Sequence, residues 1–302
     1  MNTDMTLVSI VGPTAIGKTA LSLSAAKSLG CPILSADSRQ FYKEMTIGTA
    51  VPSAAELQSA RHYFIQHRSI QQPYSVGDFE REAITLIDEL QKKHEHLVMV
   101  GGSGLYTKAV VSGLDAFPKI PETIRNELNK TLEEDGIECL RAELRTVDPN
   151  YFAQVDLNNP QRIIRGLEVY RGTGLPFSSF RTNRVKKRPF KILSIGLEAP
   201  REVLYARINA RVDEMMNNGL LDEAKALFDY RSLNALQTVG YRELFQFLNH
   251  EMNLESAVAL IKTNTRRFAK RQMTWFKKDP SIQWFDYRTP HAELIQTQLK
   301  QM

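Results

Sequence analysis

Short apolar runs alternate with amphipathic stretches through the first third of the chain, and this alternation by itself predicts an α/β fold. Leu7-Val-Ser-Ile-Val11 reads as a short central strand, and the spacing that follows predicts a helix over 18–29 stopped by Gly30. Pro32-Ile-Leu-Ser-Ala36 is the next strand, 79–93 a helix, 96–100 a third strand, and Gly101-Gly-Ser-Gly-Leu-Tyr106 a tight turn into a further helix. Strands alternating with helices predict a parallel sheet, which holds its ligands at the carboxyl ends of the strands. After Pro118 helical spacing continues over 121–134, 137–146 and 160–171 with no strand between, so residues 119–187 are expected to form a helical subdomain inserted into a core of 1–118 and 188–302. A strand over 191–197 and helices over 200–218, 221–230 and 254–278 complete that core. Along the last helix Leu254, Val258, Ile261, Phe268 and Trp275 recur at helical spacing and are expected to pack inward.

Composition narrows the class without naming a function. A chain of 302 residues with 42% apolar content can bury a sizeable core without staples. Cys31 and Cys139 stand far apart with no metal-ligand spacing, which excludes a disulfide framework and suits a reducing cytoplasm. No signal peptide is expected at the N-terminus, and no stretch approaches the roughly 20 apolar residues of a membrane span. The net charge of +5 favours polyanionic partners only weakly. Its distribution says more: Arg181, Arg184, Lys186, Lys187, Arg188 and Lys191 form a run without an acid, which suits either phosphate contact or a solvated loop, and Lys262, Arg266, Arg267, Lys270 and Arg271 give the last long helix a cationic face. His62 and His67 show no metal spacing and are expected in surface or turn positions.

The turn after the first strand carries Gly12-Pro-Thr-Ala-Ile-Gly-Lys18-Thr19, a P-loop in the strand-to-helix setting that the motif requires. Its glycines let backbone N–H groups approach phosphate oxygens, its lysine reaches terminal phosphates and its hydroxyl ligates Mg²⁺. The fold class is therefore a P-loop NTPase-like parallel sheet flanked by helices. The loop marks a phosphate site without saying whether the phosphates belong to a nucleotide. A nucleotide hydrolase would place a metal-holding acid after a later strand, but here 97–100 leads to Gly101-Gly102. The carboxylate stands instead at Asp37, after the second strand. Either Asp37 serves the metal or the reaction is not ordinary phosphoryl transfer. In Arg207-Ile-Asn-Ala-Arg211 two arginines share a helix face; Arg211 is expected either to contact the phosphates or to pair with Asp213 or Glu214.

Asp37-Ser-Arg-Gln-Phe-Tyr42, Gly101-Gly-Ser-Gly-Leu-Tyr106, Gln161-Arg-Ile-Ile-Arg165 and Thr265-Arg-Arg-Phe-Ala-Lys-Arg-Gln-Met-Thr-Trp-Phe276 follow the P-loop in that order. With the helical insertion they resemble the tRNA dimethylallyltransferases, also called tRNA isopentenyltransferases, over most of the chain. The resemblance implies transfer of a dimethylallyl group from dimethylallyl diphosphate to N6 of adenosine 37 in tRNA, with Mg²⁺ as cofactor and a monomeric enzyme. Gly12, Pro13, Thr14, Ala15, Ile16, Gly17, Lys18 and Thr19 would then cradle a diphosphate leaving group, with Thr19 at the metal. Asp37 matches the family's base, and Asp37, Ser38, Arg39, Gln40, Ser103, Arg125, Gln161, Arg162, Ile163, Ile164 and Arg165 match positions that contact tRNA.

The chemistry suits these residue types. An exocyclic adenine amine is a poor nucleophile because its lone pair is delocalised, so a carboxylate that accepts its proton helps the carbon–nitrogen bond form. Negative charge builds meanwhile on the departing diphosphate, where Lys18 and the loop N–H groups can stabilise it. The base must also leave the anticodon stack to reach the donor. Ser103 stands where the family commonly has threonine, Val51 where it has lysine, and Arg61-His-Tyr-Phe-Ile-Gln66 replaces a stretch with paired histidines; none of these touches Lys18, Thr19 or Asp37. Rival readings are a prenyltransferase acting on a free adenine nucleotide, a kinase of a small metabolite, and a non-catalytic RNA-binding protein.

Overall fold

The computed structural model describes residues 5–182 and 185–301, so Arg184 of the basic run lies outside the described residues. Six strands form one sheet: β1 (Thr6–Val11), β2 (Ile33–Ser35), β3 (His62–Tyr63), β4 (His96–Gly101), β5 (Lys191–Glu198) and β6 (Gln283–Asp286). Their order is β3-β2-β4-β1-β5-β6, and every pairing is parallel. β1 is central, with Val8 opposite Val98 of β4 and Leu193 of β5. The expected third strand is thus the fourth in sequence, because the two-residue β3 is too short to leave an alternation signal.

Strands buried on both faces explain the nearly continuous apolar runs. On one face Val8, Ile10, Ile33, Val98 and Ile195 pack against helices Lys18–Leu29, Arg201–Asn217 and His291–Lys300 through Leu21, Ile208 and Ile295. On the other, Leu7, Leu34, Leu97 and Met99 meet Phe79, Ala83 and Ile87 of helix Val76–Leu90. That helix begins at Val76 because Ser75 and Asp78 make a capping box. A third apolar cluster joins Tyr42 and Met45 to Leu220, Tyr241, Leu244 and Ile261, and brings in helix Tyr241–Leu248. No helix among the described residues is long and apolar enough to cross a membrane.

Two compact units result, one made of residues up to Ser112 and from Lys187 onward, the other Gly113–Lys186. The second is all helix: Glu122–Glu134, Ile137–Val147, Pro149–Phe152, Pro160–Thr173 and Phe177–Phe180. Leu128, Leu140, Leu144 and Leu167 form its centre. The buried Asp148 carboxylate is satisfied by the N–H groups of Tyr151 and Ser178 and by the Ser178 hydroxyl.

Candidate active site

The chain leaves β1 through the 12–19 loop, in which Gly12, Ala15 and Gly17 take positive φ and curl the backbone toward the N-terminus of helix Lys18–Leu29. Exposed helix N–H groups and the positive end of the helix dipole make such a turn an anion site. β1 lies between β4 and β5, so this loop opens where strand order switches, the place at which open parallel sheets bind ligands. A cleft of about 820 Å³ lies over it. Thr14, Lys18, Thr19, Asp37, Ser38, Arg39, Gln40, Ser103 and Arg211 all line that cleft, so the expected donor-side residues and the 37–40 run come together in one unit.

The cleft is strongly cationic around the loop. The Lys18 ammonium donates to the Pro13 carbonyl at 2.7 Å. Burial first, and the Arg211 guanidinium second, push its pKa down to about 7 against the opposing pull of Asp37. Arg211 donates to the Thr14 hydroxyl at 3.4 Å, and burial lowers its pKa while Asp37 and Glu214 favour its charge. Of the two acids expected as alternative partners of Arg211, Asp213 is paired with Lys262 at 2.6 Å, and Glu214 acts on the guanidinium while it faces the loop. Arg207 donates to the Ala15 carbonyl at 2.8 Å. Bound diphosphate would restore the charge on a lysine that is largely neutral above about pH 7, so donor binding at about pH 8 is expected to take up close to one proton, and less as pH falls. Calorimetry in buffers of different ionisation enthalpy measures this; no uptake at that pH would contradict the lowered pKa of Lys18.

Asp37 follows β2, and one of its carboxylate oxygens accepts the Arg39 N–H at 2.9 Å, an Asx-type turn that fixes the side chain at the strand end. The Ser103 hydroxyl accepts the Ser38 N–H and donates to the Ser38 hydroxyl, both at 3.0 Å. Gln40 donates to the carbonyls of Thr49 and Ala50 and accepts from Ser35, so its amide braces the loop that follows it. Arg39 reaches the Asn234 carbonyl at 2.9 Å.

In the helical unit, Arg125 donates to the buried Glu168 at 3.1 Å and to Gln161 at 3.0 Å, and Arg165 pairs with the same Glu168 at 3.3 Å. Arg162 is exposed. Ile163 and Ile164, expected among the tRNA contacts, are fully buried in this unit's core, where helical periodicity turns their side chains inward; the expectation is corrected for both. Further expectations change. Arg188 is nearly buried and pairs with Glu80 at 2.9 Å, so it locks the start of β5 and is not a phosphate contact. Phe268 and Trp275 are 38% and 43% exposed, because the inward face of helix Leu254–Phe276 is Ala257, Ile261, Ala269, Gln272 and Phe276. His67 packs edge-on against Phe41, Phe64 and Tyr74, and burial holds its pKa below the ordinary range. His62 lines the cleft.

Sequence reading missed the cleft position of Phe268, which it turned inward; Phe268 lines the cleft beside Arg271 of the expected cationic face, with the guanidinium 5.8 Å from the ring centre. It also missed Glu223, whose carboxylate accepts the N–H groups of Thr46, Ile47 and Gly48 and the Tyr241 hydroxyl, holding the 46–50 loop at the cleft wall. No local signal marks Glu223. Among the described residues, no group of three or more His, Cys, Asp or Glu could cage a metal ion. The donor set at the loop fits a hard ion carried mainly by phosphate oxygens and water, which is how Mg²⁺ binds beside phosphates.

The family model described as IPP transferase matches residues 40–279. A tRNA dimethylallyltransferase of Christiangramia forsetii is 56% identical over 93% of this chain and 93% of its own. The crystal structure of a full-length tRNA isopentenylpyrophosphate transferase from Bacillus halodurans superposes with a TM-score of 0.71 at 36% identity, covering 98% of this chain and 97% of that one. A eukaryotic dimethylallyltransferase, seen in crystallographic snapshots acting on tRNA, superposes with a TM-score of 0.78 at 25% identity over 94% of this chain and 74% of its own.

Proposed function

This chain belongs to the tRNA dimethylallyltransferase family of prenyltransferases, and from that premise we propose that its cleft transfers a dimethylallyl group from dimethylallyl diphosphate to N6 of adenosine 37 in tRNA. One observation carries the reading: the 12–19 loop with Lys18 and the Asp37 carboxylate line the same cleft, close enough that the Asp37 charge favours the protonated Lys18. An anion cradle and a base within one cleft suit a displacement in which diphosphate leaves as an amine attacks.

The 12–19 loop, Lys18 and Arg211 bind the diphosphate and stabilise the charge that builds on it as the carbon–oxygen bond at prenyl C1 breaks. Asp37 accepts the N6 proton as the carbon–nitrogen bond forms. The Asx turn with Arg39 orients its carboxylate for that task. Thr19 would hold Mg²⁺ together with diphosphate oxygens, and the ion supplies charge neutralisation of the leaving group when bound. Ser38, Arg39 and Ser103 receive the flipped adenine at the cleft wall, and exposed Arg162 with Arg125, Gln161 and Arg165 meets the anticodon stem-loop through its phosphates. Both cysteines are free, which suits the cytoplasm.

An incubation with Mg²⁺, dimethylallyl diphosphate and unmodified tRNA carrying adenosine at positions 36, 37 and 38, with AMP as competitor, tests the proposal. Mass analysis of the nucleosides is expected to show prenylated adenosine at position 37 and unchanged AMP. Absence of prenylated tRNA, or preferential prenylation of AMP, would defeat it.

A further inference from the structure

Gln272 is a polar side chain in an otherwise apolar inward face, only 7% exposed, and both ends of its amide are occupied by backbone. Its carbonyl oxygen accepts the Thr14 N–H at 2.9 Å, and its NH₂ donates to the Gly102 carbonyl at 2.8 Å. The amide therefore bridges the loop after β1 and the turn after β4. That turn is itself pressed onto the loop after β2. A Cβ on Gly101 would lie 2.4 Å from the Ala36 carbonyl oxygen, immediately before Asp37, and a Cβ on Gly102 would lie 2.4 Å from the Gln272 amide nitrogen. Ser103 then ties the turn to the Ser38 N–H at 3.0 Å. A continuous chain of contacts runs from Thr14 through Gln272, Gly102 and Ser103 to Ser38, beside the carboxylate.

We propose that Gln272 is a positioning residue that sets the separation between the diphosphate cradle and the Asp37 carboxylate. The inference rests on the function proposed above. Displacement needs the prenyl carbon, the attacking nitrogen and the proton acceptor aligned at once, and a misplacement of about 1 Å can cost about a hundredfold in rate. Beyond the β1–β4 ladder, which ends with Val11 opposite Gly101, the hydrogen bonds that join the two loops are those of the helix-borne amide at the cleft wall. The same bond occupies the Thr14 N–H, so Thr14 offers the donor its hydroxyl.

Two variants test this in the full-length enzyme. Gln272→Met keeps the side-chain length and removes both hydrogen bonds; kcat is expected to fall about 10- to 100-fold, with the KM for dimethylallyl diphosphate and the Kd for tRNA within about threefold of wild type. Gln272→Glu restores both bonds only as the neutral acid, which can donate to the Gly102 carbonyl while accepting from Thr14. Its kcat relative to wild type is therefore expected to exceed that of Gln272→Met at the acid end of the measurable range. A general loss of folding would give neither the split between kcat and binding nor this rescue. A wild-type kcat in Gln272→Met, a loss confined to KM or Kd, or no rescue at any pH would overturn the assignment. If wild-type protein itself fails to prenylate tRNA, the proposed function falls; if wild type is active and Gln272→Met matches it, only this inference does.

Discussion

Replacing Asp37 with asparagine is expected to lower turnover by about 10²- to 10⁴-fold, the range that a positioned proton acceptor contributes, while tRNA affinity stays within a few-fold. Asparagine is the informative choice. Its side-chain oxygen can still accept the Arg39 N–H, the bond of 2.9 Å that shapes the turn after β2, so the loop keeps its form and only basicity is lost. Alanine would remove both and mix two causes. Single-turnover rates, measured beside tRNA binding, separate chemistry from affinity. Wild-type turnover in the asparagine variant would remove Asp37 from the role of base.

Lys18→Met should produce the second large effect, about 10²- to 10³-fold in kcat, with a weaker KM for the donor as well. Lys18 is half-buried beside Arg211 in the 12–19 loop, where water screens little of its charge once diphosphate is bound. Met keeps most of the buried apolar stem, so folding should survive; circular dichroism and the unfolding midpoint verify that. The opposite pattern, an unchanged kcat with only a raised KM, would mean that Lys18 binds ground state and transition state equally.

Much of this arrangement was legible because its elements are long and strongly patterned. β1 and helix Lys18–Leu29 follow from an apolar run, a glycine-bounded turn and a glycine stop. The placement of Asp37 follows from the strand before it. The parts that were not legible have physical causes. β3 has only two residues, and β6, at the sheet edge, lacks the buried apolar run that marks the three-residue β2. Helix Leu254–Phe276 was given the right axis, and Leu254, Val258 and Ile261 do join the third apolar cluster, but its second half was given the wrong face. Its inward stripe is built from alanines, Ile261, Gln272 and Phe276, which let it approach the sheet, whereas Phe268 and Trp275 face outward. Periodicity counts apolar residues and so prefers large exposed rings to a small or polar inward stripe. Gln272 was invisible for a related reason: its partners are backbone groups 258 and 170 residues away, and a buried amide is tolerated only where both ends are satisfied. Ile163 and Ile164 erred the other way, since a sequence motif lists neighbours in the chain but the helix turns these two inward and leaves Gln161 and Arg162 outside.

The reading of the 12–19 loop as a cradle for a leaving diphosphate, and not as a site for phosphoryl transfer, makes one bond decisive. The incubation with tRNA, run with dimethylallyl diphosphate labelled with oxygen-18 in the bridging position between C1 and phosphorus, reports which bond breaks. All label is expected in the released diphosphate, with the adenosine at position 37 gaining a dimethylallyl group and no oxygen. Label recovered in dimethylallyl alcohol or a dimethylallyl monophosphate, with unmodified tRNA, would show cleavage at phosphorus and contradict it.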